Sequence, residues 1–156
     1  MPALSPIQSP DPDRTSSTSR VLKAPRELVF RAWTEAEHLK NWWGPNGFSN
    51  TFYIFEPKPG GRWEFTMHGP DNKDYANESI FVVVDPPSKI ILDHVCAPLF
   101  QLQATFEEAG ANQTRITFIQ IFESAELFEK IRDFIKGKNE ENLDRLENEL
   151  LKMKSE

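Results

Sequence analysis

The sequence predicts an α+β domain in which an antiparallel sheet of about seven strands is combined with two short helices after the first strand and a long C-terminal helix. Three observations carry this. Between Phe48 and Ile121, short aromatic and β-branched runs alternate with turn residues, the pattern of an antiparallel meander. Ahead of it lie two short stretches with helical spacing, and from about Ser124 apolar residues recur every three or four positions. A chain of 156 residues holds one such domain. At this size, folding buries roughly two thirds of the surface of the unfolded chain, enough for a core without metal or disulfide staples.

The elements follow in order. Residues 1–17 contain Pro2, Pro6, Pro10 and Pro12 and few apolar side chains, so a disordered tail is expected there, with a single domain over 18–153. A first strand is expected from about Thr18 to Lys23. Pro25 suits the first turn of a helix, where its missing N–H costs nothing, and Leu28, Val29 and Ala32 continue it to about Trp33. Thr34-Glu35-Ala36-Glu37 has the form of a capping box and starts a second short helix, which Gly44-Pro45 ends.

Six further strands are expected at Phe48–Glu56, Arg62–His68, Tyr75–Val84, Lys89–His94, Phe100–Glu107 and Gln113–Phe122. Pro57-Lys58-Pro59-Gly60-Gly61, Gly69-Pro70-Asp71-Asn72, Asp85-Pro86-Pro87-Ser88 and Ala109-Gly110-Ala111-Asn112 supply turns between them. In the second of these strands Trp63, Phe65 and Met67 share one face and Arg62, Glu64, Thr66 and His68 the other, so one face is dry. In the terminal helix Leu127, Ile131, Phe134 and Ile135 form one stripe, and Leu143, Leu146 and Leu150 a second, better anchored one. Gly137-Lys138-Asn139 lies between the stripes and is expected to bend or break the helix, with Asn139 as a fresh N-cap.

Composition excludes several partners. A formal net charge of -6 without a Lys/Arg cluster argues against nucleic acid, whose backbone is held by clustered basic side chains. No apolar run reaches the roughly 18 residues of a bilayer span, and the N-terminus lacks the basic-then-apolar order of a signal peptide. The single cysteine, Cys96, cannot form an intrachain bridge, so a cytoplasmic protein is expected.

Reactive residue types are present without the spacing that chemistry needs. His38, His68 and His94 lie on different elements with no metal-ligand pattern, so no metal is expected. His94-Val95-Cys96 raises the question of a nucleophile, but no third group orients the pair, and a strand-end histidine beside a half-buried cysteine accounts for it. Alternation places Glu64 opposite the dry face, and Glu64, Glu78 and Asp93 are read as solvated rather than as acids or bases. Gly60-Gly61 lacks the lysine and helix of a phosphate loop and is read as a hairpin turn, so no cofactor is expected.

Three spaced motifs carry a resemblance: residues 24–34 (Ala24-Pro25-Arg26-Glu27-Leu28-Val29-Phe30-Arg31-Ala32-Trp33-Thr34), residues 39–45 (Leu39-Lys40-Asn41-Trp42-Trp43-Gly44-Pro45) and residues 59–63 (Pro59-Gly60-Gly61-Arg62-Trp63). With them, the chain from about Ser19 to Leu151 resembles the activator of heat-shock-protein-90 ATPase homologue-like family of the START-like, or SRPBCC, superfamily. The resemblance implies a helix-grip fold, a curved sheet around the C-terminal helix with a cavity between them. The chain departs from the family pattern at two places: Lys138-Asn139 stand where many relatives carry Gly-Trp, and Val83 stands where an acid often precedes the Pro-Pro turn.

Within that fold Trp63, Phe65, Phe81, Phe118 and Gln120 are the candidate cavity residues, with Gln120 as the polar group that orients a ligand. The expected function is non-enzymatic binding of a small apolar or aromatic ligand, with a link to stress and no catalytic residue. The alternatives are stimulation of a heat-shock chaperone's ATPase and a polyketide cyclase or dehydratase reaction. A monomer or a homodimer is expected.

Overall fold

The computed structural model describes residues 6–154, in the order β1 (Thr15–Leu22), α1 (Arg26–Thr34), α2 (Ala36–Trp42), β2 (Ser49–Phe55), β3 (Arg62–His68), β4 (Asp74–Asp85), β5 (Lys89–His94), β6 (Phe100–Gly110), β7 (Gln113–Phe122) and α3 (Ala125–Lys154). The seven strands form one antiparallel sheet in the order β1-β7-β6-β5-β4-β3-β2, so the meander is closed by β1 pairing with the last strand. Register shifts between Phe52 and Ile54, Phe81 and Val83, and Glu108 and Gly110 break the ladder locally. Such irregularities increase twist and bend a sheet, and here they accompany its curl around α3. Among the described residues no helix is long and apolar enough to cross a membrane.

The inner face follows from alternation. Trp63 and Phe65 of β3, Phe81 of β4, Ile90 and Leu92 of β5, Leu102, Ala104 and Phe106 of β6, and Ile116 and Phe118 of β7 are buried together. The two short helices cover one end of this face. Phe30 and Trp33 of α1 meet Phe106 edge-on at 5.8 and 5.9 Å, and the Trp42 indole N–H donates to the Ala32 carbonyl at 3.0 Å.

Three local expectations are corrected. First, β1 begins at Thr15, so Thr15–Ser17, assigned to the tail from sequence, are paired with Ile121, Gln120 and Ile119. Ahead of them, Gln101 Nε2 donates to the Pro6 carbonyl (3.1 Å) and Gln103 Nε2 to the Gln8 carbonyl (2.8 Å), on the face opposite Leu102 and Ala104. The start of the expected tail, residues 1–5, lies outside the described residues.

Second, the capping box does not form. The Thr34 hydroxyl donates back to the Phe30 carbonyl at 2.9 Å, and Glu35 is the N-cap of α2 with no side-chain bond to its backbone. Third, α3 runs unbroken through Gly137, and Asn139 caps nothing; its side chain is buried against the sheet. A glycine in an exposed helix position costs only about 1 kcal/mol relative to alanine, too little to break a helix held at both ends by packing.

The C-terminal part of α3 is held most firmly. Leu143, Leu146, Leu150 and Met153 are buried, each aliphatic side chain contributing about 1.5–3 kcal/mol when fully removed from water. Arg20 of β1 reaches Glu140, Asp144 and Glu147 on the helix at 3.1, 2.7 and 2.9 Å. Between α2 and α3, His38 Nδ1 lies 2.9 Å from Glu149 Oε2, which also accepts from Asn41 Nδ2 at 3.2 Å.

Candidate functional site

Where the first half of α3 passes over the sheet, side chains stop filling the interior. A cavity of about 660 Å³ remains there, within the size range of small-molecule sites. Trp63, Phe65, Leu92, His94, Phe118 and Gln120 form its sheet wall. Phe134, Ile135, Lys138, Asn139 and Asn142 form its roof, their spacing placing them on one helical face. Trp43, Gly44 and Pro45 close one end and Ala97 and Pro98 the other. The space exists because the roof carries short polar chains where the second half of the helix carries leucine, and because Ala76 and Ser79 contribute little volume from β4.

The closing loop is fixed from the helix. Gly44 has φ +97°, a conformation that a side chain disfavours, and its N–H donates to Asn142 Oδ1 at 2.6 Å. The Arg145 guanidinium donates to the carbonyls of Trp43, Gly44 and Pro45 through Nη1 (3.3, 2.9 and 2.9 Å) and to those of Asn41 and Phe48 through Nη2 (2.9 Å each). Burial lowers the pKa of Arg145, but an arginine remains a cation, and here carbonyl dipoles solvate it.

The wall is mostly aromatic. Trp63 stacks on Phe65 with ring centroids 4.3 Å apart and meets Trp43 edge-on at 5.2 Å, so two tryptophans border the cavity. The Trp63 indole N–H is buried without an acceptor among the described residues. An unmade bond of this kind costs about 1–3 kcal/mol, so ring packing and not hydrogen bonding holds the side chain.

Three carboxamides interrupt the apolar surface. Gln120, Asn139 and Asn142 are each 7 % exposed, and Asn139 Nδ2 donates to Gln120 Oε1 at 2.8 Å. His94, also in the wall, is stacked on Phe100 and has both ring nitrogens engaged, Nδ1 with the Pro98 carbonyl and Nε2 with Asn77 Oδ1, each at 2.8 Å. Burial pushes its pKa below the usual histidine value, with hydrogen bonds to the Pro98 and Cys96 backbones partly opposing. Among the described residues no aspartate, glutamate or arginine lines the cavity.

Of the residues singled out from sequence, Trp63, Phe65, Phe118 and Gln120 come together in this wall. Phe81 does not line it: the side chain is 2 % exposed and stacks on Trp63, 6.3 Å between centroids, in the packed core. Glu64 and Glu78 pair with Arg62 on the outer face, and Asp93 accepts from Gln101 Nε2 at 3.0 Å. Cys96 Sγ lies 3.4 Å from His94 Nε2, beside the cavity but not in its lining. Asn139, Asn142 and His94 were not singled out as site residues. The available signal for the two asparagines was polar character on the stripe that continues Ile135 toward Leu143 and Leu146, where a buried polar side chain is the informative exception.

Elsewhere, Glu35, Glu37 and His38 bring potential ligand atoms within 4.8 Å of one another. The His38 nitrogen nearest α3 is already taken by Glu149, which makes this histidine a strut between helices.

Residues 23–150 match the family described as activator of Hsp90 ATPase homolog 1-like protein. No curated protein matches the chain at a significant level. Among solved structures, a protein of Nitrosomonas europaea is 21% identical with a TM-score of 0.86, the alignment covering 94% of this chain and 99% of that one. A protein of Arthrobacter aurescens is 22% identical with a TM-score of 0.83, covering 96% and 93%. The AHSA1 protein of Silicibacter pomeroyi is 16% identical with a TM-score of 0.71, covering 88% and 97%. At these identities the likeness shows the fold.

Proposed function

The chain belongs to the activator of Hsp90 ATPase homolog 1-like family, and from that premise we propose that it binds a small apolar or aromatic molecule between the sheet and α3, in the cytoplasm, without altering it chemically. The observation that carries the reading is the cavity of about 660 Å³, walled by aromatic rings and provided with a few convergent polar groups. Because Trp43 and Trp63 border it, an occupant changes tryptophan emission. Titration with a panel of flavonoids, fatty acids and aromatic polyketides is expected to give a saturating, one-to-one change for at least one class. A panel in which nothing saturates overturns the reading.

One observation favours an enzyme instead: His94 is a buried, titratable group in the cavity wall. Against it, both ring nitrogens already lie within hydrogen-bond distance of protein atoms, Nδ1 of the Pro98 carbonyl and Nε2 of Asn77 Oδ1 and Cys96 Sγ, so a substrate would have to displace one of these contacts. Turnover of a bound panel member that His94→Gln abolishes while binding persists would replace binding with catalysis. The family's description also carries a chaperone reading, stimulation of an Hsp90 ATPase. A coupled ATPase assay with the purified chaperone tests it directly, and an unchanged rate removes it.

A further inference from the structure

The polar groups of the cavity are amides, and their hydrogen-bonding capacity is only partly used. Asn142 Oδ1 is fixed as an acceptor by the Gly44 N–H at 2.6 Å, so its Nδ2 is a donor with no protein partner among the described residues. In the Gln120–Asn139 pair one amide donates to the other at 2.8 Å. Whichever of the two is the donor, one NH₂ and one C=O remain, because exchanging nitrogen and oxygen in both side chains together only reverses the direction of the bond. None of these remaining atoms is among the sealed, unpartnered atoms of the core, although all three residues are more than nine-tenths buried. They are open to the cavity that the residues line. Asn139 and Asn142 are three residues apart on one helical face, which places both amides over the same part of the wall.

The lining carries no carboxylate or guanidinium among the described residues, and its ammonium group has other partners. The basic side chain of the roof, Lys138, stands at its edge, its Nζ 5.3 Å over the exposed Phe134 ring and 3.9 Å from Glu141. Arg145 is committed to five backbone carbonyls. A carboxylate brought to the amides would lose its hydration and would have to draw Lys138 from Phe134 and Glu141 to gain a counter-charge, whereas a neutral group would need only a donor and an acceptor.

We propose that Gln120, Asn139 and Asn142 form a carboxamide subsite that selects uncharged aromatic ligands presenting a hydrogen-bond donor and acceptor on one edge, as in a primary amide, a lactam or a hydroxy-carbonyl. The proposal rests on the ligand-binding reading above and specifies its ligand class. The amide edge of the ligand pairs with the free NH₂ and C=O of the Gln120–Asn139 pair, Asn142 Nδ2 supplies a second donor, and the aromatic body lies against Trp63, Phe65 and Phe118.

Three probes of one shape test it: biphenyl-4-carboxamide, biphenyl-4-carboxylate and 4-isopropenylbiphenyl, measured by calorimetry or equilibrium dialysis against the full chain and the Q120L/N139L variant. The double replacement removes both members of the pair together, and retained binding of the hydrocarbon probe shows that the variant's cavity is intact. The carboxamide is expected to lose about tenfold or more in affinity, as expected for one or two lost hydrogen bonds, while the hydrocarbon holds or gains. In the unaltered chain the carboxylate is expected to bind at least tenfold more weakly than the carboxamide. Equal changes for carboxamide and hydrocarbon overturn the subsite and leave the binding function standing. A carboxylate that binds tightest, and loses this on Lys138→Gln, overturns it in favour of an anionic ligand. No binding by any of the three, together with a silent panel, overturns both readings.

Discussion

The two halves of α3 are one continuous helix, yet they do different work. From Asn139 onward, Leu143, Leu146, Leu150 and Met153 are buried, and the helix is tied to β1 by Arg20 and to α2 by the His38–Glu149 contact. Before it, Phe128 is buried, Leu127, Ile131 and Ile135 are half-buried, and Phe134 is 65 % exposed. Helical propensity does not separate the halves; what lies beneath them does. One rests on packed side chains and the other spans a space. Stability is therefore concentrated in the second half, and the first has the few buried apolar contacts that mark regions of low local stability.

That contrast can be broken by measurement. The largest effect is expected for His38→Leu, which leaves the Glu149 carboxylate, 4 % exposed, with Asn41 as its remaining hydrogen-bond partner among the described residues. Removing one member of a buried pair costs about 3–5 kcal/mol, readable as a fall in the urea midpoint. Leu146→Ala should cost about 2–5 kcal/mol, the range for emptying a buried leucine site.

A smaller, pH-dependent effect belongs to His94. Its pKa is depressed in the folded chain from an ordinary value of 6.5, so its contribution is present above about pH 6.5 and is lost as pH falls toward the lowered folded value. The difference in urea midpoint between the natural chain and His94→Gln should therefore narrow between pH 8 and pH 5. A constant difference would show that His94 does not titrate differently on folding. The smallest effect is expected for Phe134→Ala, within about 0.5 kcal/mol in stability, as for exposed sites. Equal losses for Phe134→Ala and Leu146→Ala would erase the distinction between roof and anchor.

How far the sequence foretold this varies with the kind of signal. The boundaries of β3, β5 and β7 were legible because turn residues bracket runs of aromatic and β-branched side chains. The start of β1 was not, since Thr15-Ser16-Ser17 offers no apolar alternation, and its pairing with β7 joins residues a hundred positions apart. Trp63, Phe65, Phe118 and Gln120 were legible as neighbours from strand parity and the resemblance. Parity could not show that Phe81, on the same face, would be screened by Trp63. Asn139 was misread because asparagine after a glycine is a strong local capping signal, while its actual partner, Gln120, lies on a distant strand.

The Arg145 latch implies a particular kind of robustness. Several cross-links between elements have a carboxylate at one end, as Arg20 does with its three acids, and such links fade when acids are protonated or salt screens them. The loop that closes the cavity is held instead by a cation among carbonyl dipoles, which neither titrate nor attract counter-ions. The mouth of the site should keep its shape in acid or brine after the surface ion pairs have let go, so that ligand occupancy outlasts them.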